Sequence, residues 1–236
     1  MLSLRAVNQF YGEKHILWNF DLELTKGECT CLLGAPGMGK TTLMNCITGY
    51  LPVESGSITW NEAGQPPQDL LARPIEDRAA LGISYVAQER RLFSQLSVEE
   101  NLQIALLAGN EHARAIPDMV YQLFPELYSL RHVRGGELQY DSQQRLALAR
   151  ALVTEPKLLI LDEPTPGSGQ RFIHELSGIV RRLNRDFGLT ILLVEQRLSF
   201  IHRVADRFCL LHRGRNVAQG KAEQLDEKLV SNWMMP

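Results

Sequence analysis

The sequence predicts an α/β fold: a mainly parallel sheet carrying a phosphate-binding loop, an antiparallel β layer beside it, and a helical insertion within it. Three observations predict this. Cys29 to Leu33 is a short apolar run, followed by the glycine-rich stretch Gly34-Ala35-Pro36-Gly37-Met38-Gly39-Lys40-Thr41-Thr42 and then by Leu43-Met44-Asn45-Cys46-Ile47, which reads as a helix. A second apolar run, Leu158 to Leu161, ends in two carboxylates, Asp162 and Glu163. Between these runs the hydrophobic period turns helical at Ser97 and stays so to about Thr154.

The glycine-rich stretch matches G-x-x-x-x-G-K-T in the strand–loop–helix setting that the P-loop motif requires. Its glycines let backbone N–H groups curl round a polyphosphate, and the helix N-terminus adds partial positive charge. Gly34 to Thr42 are thus the candidate nucleotide-binding residues. Lys40 reaches the terminal phosphates, and the Thr41 hydroxyl ligates Mg²⁺. Pro36 has no N–H to donate, but the remaining loop amides suffice.

The other elements follow in order. Leu2, Leu4 and Val7 alternate as an opening strand that leads to Tyr11-Gly12. In Ile16 to Leu24 the residues Ile16, Trp18, Phe20, Leu22 and Leu24 share one face, so the two runs form an antiparallel layer. Glu54-Ser55-Gly56 is a turn before a strand from Ser57 to Trp60, and Glu62 to Pro74 is a loop. Ile83 to Val86 is a strand leading to Gln88. Ser97-Val98-Glu99-Glu100 is a capping box opening a helix to about Ala108, before Gly109-Asn110. Pro117 starts another helix and Pro125 stops it. Gly135 and Gly136 break the chain, and Ser142 to Val153 is helical. After Asp162-Glu163, residues Phe172, Ile173, Leu176, Ile179, Val180 and Leu183 mark a helix with Gly188 at its C-cap. Thr190 to Val194 is a strand ending at Glu195-Gln196; Arg207 to Leu211 and Asn216 to Ala218 are short strands, and Lys221 to Pro236 is an amphiphilic tail.

Composition narrows the classes. The chain has 236 residues and a formal net charge of −2, so bulk electrostatics give no nucleic-acid surface. No apolar run approaches a membrane span, and the N-terminus does not read as a signal peptide. The four cysteines, Cys29, Cys31, Cys46 and Cys209, contain no C-x-x-C pair and read as buried thiols in a reducing cytoplasm. His15, His112, His132, His174, His202 and His212 lack ligand spacing.

A P-loop needs a second strand whose Asp holds the Mg²⁺ shell, and Asp162 is placed for that. Glu163, one residue further, can polarise an attacking water. Hydrolysis of ATP follows as the reaction, with Lys40 offsetting charge.

With these markers in order, the chain resembles the ATP-binding subunit of an ABC transporter over nearly all its length. Tyr11 stands where that family stacks an aromatic ring on adenine. Tyr85-Val86-Ala87-Gln88 is similar to its Q-loop, with Gln88 as a nucleotide and Mg²⁺ contact. Leu159 to Thr165 resembles its Walker B segment, and Gln196 stands at its switch position. Ser97 to Leu102, Arg134 to Leu138, Ala149 to Val153 and Leu192 to Gln196 resemble the branched-chain amino acid importer branch, for which Gln at position 196 is habitual, and within it the urea-type subunit. The resemblance implies one ABC ATPase domain: a core of residues 1–96 and 155–220, a helical subdomain 97–154 and a C-terminal tail 221–236. It also implies ATP and Mg²⁺ as cofactors, membrane-spanning permease partners that dock near Arg90, Arg91, Leu92 and Phe93, and a peripheral place on the cytoplasmic face of the membrane. The bland reading of that docking stretch is an exposed basic loop with Phe93 buried.

Two stretches depart from the family pattern. Leu138-Gln139-Tyr140-Asp141-Ser142 stands where the family has Leu-Ser-Gly-Gly-Gln, the signature that clamps a partner's γ-phosphate across a head-to-tail dimer. The expected serine and both glycines are replaced, Tyr140 adds bulk, and Asp141 brings a like charge worth on the order of 3 kcal/mol at ~5 Å and a dielectric of about 20. Asp141 also suits the N-cap of a helix starting at Ser142. Pro166-Gly167-Ser168-Gly169-Gln170 likewise replaces the family's interface loop. These departures imply an asymmetric role beside a second ATPase subunit, as a heterodimer, with a homodimer of two weak sites as the other arrangement. The alternative is a non-hydrolysing, regulatory nucleotide-binding subunit, against which the presence of Glu163 argues. A soluble ABC ATPase of DNA repair or translation would need a coiled coil or second cassette that 236 residues do not hold.

Overall fold

The computed structural model describes residues 1–109 and 115–234. His112 and Asn110 lie outside them. In chain order the elements are β1 (Leu2–Tyr11), β2 (Lys14–Leu24), β3 (Cys29–Leu33), α1 (Lys40–Thr48), β4 (Ser55–Trp60), β5 (Gln68–Asp69), α2 (Ile75–Ala80) and β6 (Ile83–Val86). There follow α3 (Val98–Gly109), α4 (Asp118–Leu123), α5 (Pro125–Ser129), α6 (Tyr140–Leu152), β7 (Leu158–Asp162), α7 (Gln170–Arg185), β8 (Thr190–Val194), α8 (Leu198–Val204), β9 (Arg207–His212), β10 (Arg215–Lys221) and α9 (Glu227–Met234).

Two sheets form. One has the order β10-β9-β3-β8-β7-β6, parallel except for β10; the other is antiparallel, β2-β1-β4-β5. Alternation along the parallel strands splits the core. Cys29, Cys31, Leu33, Leu159 and Leu161 face the helices α3, α6, α7 and α8. Leu32, Leu158, Ile160, Leu192 and Val194 face α1 and the antiparallel sheet. The strands are buried on both faces, which is why they read as unbroken apolar runs. All four cysteines are buried free thiols.

Several sequence expectations are corrected. Trp18 does not share the inward face of β2. The β1–β2 register shifts around Val7 and Gln9, Asn19 takes φ 43, and Leu17 points inward instead, leaving Trp18 39% exposed and stacked on the His15 ring at 3.6 Å. Gly56 belongs to β4 rather than to a turn. At φ 96 it sits opposite the bulge of β1, where a Cβ would lie 2.4 Å from the Ala6 carbonyl oxygen. The stretch expected as a loop contains β5, and α2 follows directly after Pro74. From α2, buried Arg78 donates to the Cys46 and Ile47 carbonyls at 2.7 and 3.0 Å, satisfying the C-terminus of α1. Pro125 opens α5 as well as closing α4. The helix expected at Ser142 begins at Tyr140, with Gln139 at the N-cap, so Asp141 is not the cap but a first-turn acid. Gly188 takes φ 66 two residues past the C-cap of α7, which is Asp186. The capping box is present, with Glu100 N donating to Ser97 Oγ at 3.1 Å and Ser97 N to Glu100 Oε2 at 2.7 Å.

Candidate active site

The C-terminal ends of β3, β7 and β8 lie side by side and bring three separate stretches of sequence together. From β3 the chain turns at Gly34, where a Cβ would sit 2.3 Å from the Leu211 carbonyl oxygen of β9, so only glycine fits. Gly37 and Gly39 take φ 80 and 106, and Gly39 is the N-cap of α1. Ala35, Pro36 and Gly37 form the outer part of the loop. Met38 is held from below: its carbonyl accepts from Gly214 N at 3.2 Å and its Sδ from Arg213 N at 3.2 Å. Thr41 is exposed on the first turn of α1 and Thr42 is buried.

Lys40 is 7% exposed. Its Nζ donates to the Gly34 and Ala35 carbonyls at 2.7 and 3.1 Å, which braces the loop, and lies 3.6 Å from Glu163 Oε1. Glu163 Oε1 also accepts from Gln196 Nε2 at 3.0 Å, and Oε2 faces Gln88 Nε2 at 3.4 Å. Lys40, Gln88 and Gln196, from three parts of the chain, therefore converge on one carboxylate. Glu163 itself takes φ 45, a left-handed conformation that costs a non-glycine residue about 1–3 kcal/mol and must be held by its surroundings. Its N–H donates to the Val194 carbonyl at 2.9 Å.

Asp162, the last residue of β7, is buried and accepts from Tyr85 Oη at 2.9 Å. Burial pushes its carboxyl above the usual range, and the Glu163 charge adds to this; the Tyr85 hydrogen bond and Lys40 act the other way. Burial likewise raises the Tyr85 hydroxyl, with the Asp162 charge reinforcing it. A carboxyl raised in the fold favours folding fully only below its unfolded value, ~3.9, and loses that contribution as pH rises through the raised value. Ionised Asp162 thus destabilises the nucleotide-free chain at neutral pH. Asp162→Asn, which keeps an acceptor for Tyr85, is expected to raise the thermal midpoint at pH 7, with the gap closing towards about pH 3. A variant no more stable than the parent at pH 7 would contradict this.

Two residues of this neighbourhood were not singled out as site residues in the sequence. Tyr85 enters the sequence reading only as a strand residue leading to Gln88, in the stretch similar to the Q-loop, with no role of its own. Glu195, 2% exposed, accepts from Thr165 Oγ1 at 2.7 Å and from the N–H groups of Gln196 and Arg197 at 2.8 and 3.1 Å, fixing the turn that presents Gln196. A carboxylate directly after the five-residue apolar strand β8 was the available signal for it. Tyr11, by contrast, stands apart from the cluster. It is 48% exposed at the β1–β2 hairpin end, and the hairpin reaches the loop through Ile16 and Leu17, which close on Gly39.

Comparison with known proteins places this geometry. The family model described as ABC transporter matches residues 17–166, more than half of the chain. The chain belongs to the ABC transporter family. It is similar to the high-affinity branched-chain amino acid transport ATP-binding protein BraG of Pseudomonas aeruginosa, with 36% identity over 92% of this chain and 91% of the relative. It is also similar to the probable branched-chain amino acid transport ATP-binding protein LivF of Archaeoglobus fulgidus, with 35% identity over 96% and 94%. Among solved structures, the ADP conformation of MJ1267, an ATP-binding cassette of an ABC transporter, superposes with a TM-score of 0.83 at 25% identity, covering 98% of this chain and 97% of that one. The dimeric, post-hydrolysis MJ0796 cassette bound to ADP and Pi shares the fold, with a TM-score of 0.83 at 20% identity over 95% of this chain and 100% of that one. This ABC chain is an ATP-binding subunit of a transporter and an ATPase. No helix among the described residues is long and apolar enough to cross a membrane.

Proposed function

We propose that this ABC subunit binds Mg-ATP on its own loop Gly34 to Thr42 and hydrolyses it with Glu163 to energise import of a small polar solute. The observation that carries this reading is the convergence of Lys40, Gln88 and Gln196 on Glu163. Lys40 is already poised between loop carbonyls and carboxylate, so a γ-phosphate arriving at the loop would take it over as a charge-assisted donor. Glu163 is then left to polarise a water for in-line attack, with Gln196 and Gln88 fixing its two oxygens. The Thr41 hydroxyl, the Gln88 amide and the Asp162 carboxylate are hard oxygen donors that suit Mg²⁺, and the buried, raised Asp162 is a group that a cation would relieve. Bound Mg²⁺ would supply charge offset at the phosphate oxygens. Tyr11, at the hairpin end beside the loop, would meet the adenine ring.

Organisation as a single cassette, with a helical subdomain 97–154 set into a core, is part of the same reading. Between the two lies a groove of about 280 Å³ lined by Arg78, Arg90, Arg91 and Arg150 together with Tyr50 and Tyr85. Its described lining holds no carboxylate, and Arg150 Nε is buried without an acceptor among the described residues. This supports docking of a membrane-spanning permease subunit through an acidic segment, which would keep the chain at the cytoplasmic face of the membrane. Phe93 is 45% exposed beside it, under the Arg150 guanidinium at 4.8 Å, and not buried as a bland loop would have it. The degenerate signature favours a paralogous ATPase subunit over a second copy. The relatives carry branched-chain amino acid names, and the choice between urea and an amino acid rests on resemblance alone. The cassette does not touch the cargo, so a small polar solute is the common ground. Equilibrium titration with Mg-ATP, followed by steady-state hydrolysis, tests the nucleotide reading: absence of Mg-ATP binding would overturn it.

A further inference from the structure

The geometry points to Tyr140 as a positioning residue that holds both arms of the Glu163 site from outside it. This rests on the role given to Glu163 above. Tyr140 opens α6, and its hydroxyl donates to the Pro166 carbonyl at 2.6 Å, three residues beyond Glu163. The Arg90 guanidinium lies over its ring at 3.8 Å, two residues beyond Gln88, and Arg90 Nη1 donates to Gln143 Oε1 at 3.2 Å one turn along α6. A closed circuit results: Glu163 to Gln88, to Arg90, to Tyr140, to Pro166, and back along the chain to Glu163. Each link is local to one chain. Gly167 completes the fit, because a Cβ there would sit 2.7 Å from Tyr140 Oη, and its φ of 78 already favours glycine. Gln143 is tied in turn to the Gly135 and Leu138 carbonyls at 3.4 and 3.1 Å, which anchors the strut to the turn before α6.

The bulk that spoils this stretch as a clamp for a partner is thus used within the chain. The hydroxyl fixes the loop after β7, the ring and Arg90 fix the loop after β6, and the two loops present Glu163 and Gln88 to each other. Tyr140 touches no reacting atom; it acts through Glu163 and Gln88.

The test compares Tyr140→Phe, Arg90→Ala and Arg90→Lys in the full chain by two readouts. In steady-state hydrolysis, Tyr140→Phe is expected to lower kcat by about two- to tenfold, the range of one lost hydrogen bond, with KM unchanged because the phosphate loop is untouched. Arg90→Ala should do the same, and Arg90→Lys, which keeps a cation over the ring, should restore part of the loss. In hydrogen exchange without nucleotide, Tyr140→Phe should speed exchange at residues 164–169, and Arg90→Ala at residues 88–92, while the amides of α1 stay protected. Wild-type kcat in Tyr140→Phe, or a change confined to KM, overturns the inference. Should the parent not turn over ATP even when a second cassette supplies a sound signature, the hydrolysis reading fails by itself. Hydrogen exchange then decides the strut: unchanged exchange at residues 164–169 refutes it.

Discussion

Substituting Glu163 by glutamine is expected to lower ATP turnover by ~100-fold or more while Mg-ATP still binds. The substitution keeps size and shape. Its amide oxygen still accepts from Gln196 and faces Lys40, contacts that stand at 3.0 and 3.6 Å in the parent. Gln88 Nε2, 3.4 Å from the second oxygen, needs only an amide flip to suit the new NH₂. What is lost is the capacity to take a proton from water. Steady-state phosphate release and equilibrium nucleotide binding separate the two properties. Turnover within a few-fold of the parent would remove Glu163 from its role. Loss of binding along with turnover would show that the carboxylate shapes the loop instead.

Lys40→Ala is expected to have the complementary signature: loss of nucleotide affinity by ~100-fold or more, from two or more charge-assisted contacts of about 1.5–3 kcal/mol each. In the absence of nucleotide, the buried ammonium donates to the Gly34 and Ala35 carbonyls, so its removal also slackens the loop. The loop would not collapse. Gly34 remains packed on Leu211, and Leu43 N still donates to the Gly39 carbonyl at 2.9 Å, which starts α1. Affinity should therefore fall with little change in the far-ultraviolet circular dichroism. Binding of Mg-ATP within threefold of the parent, measured by equilibrium titration, would contradict the assignment of Lys40 to the phosphates.

How far the sequence carried this reading depended on the range of each interaction. The loop Gly34 to Thr42 was legible because strand, turn and helix start are adjacent in the chain. The Ser97–Glu100 capping box was legible for the same reason: both partners lie within one turn. The outward turn of Trp18 was not, since it follows from a register shift in the pairing of β2 with β1, which alternation within β2 cannot reveal. Helix α2 spans six residues, too few to show a period. Asp141 looked like a cap because its side chain suits that position, yet the helix starts one residue before it, after a Gln139 that makes no side-chain cap. In the site, Asp162 and Glu163 were readable as the polar end of an apolar strand. Their partners Tyr85 and Gln88 lie far off in sequence, 77 and 75 residues away. The link from Tyr140 to Pro166 spans 26 residues and needed coordinates to be found.

In this reading the chain holds one competent catalytic half and offers a poor clamp to a partner. Mixing tests it most directly. A clamp donor would carry Glu163→Gln, which silences its own site, together with Gln139→Ser, Tyr140→Gly and Asp141→Gly, which restore the serine and both glycines of the family signature. Steady-state ATP hydrolysis by the wild-type chain is then measured as this silent donor is added. Turnover per wild-type chain is expected to rise well above that of the wild type alone. No rise at any donor ratio, while Mg-ATP remains bound, would contradict it.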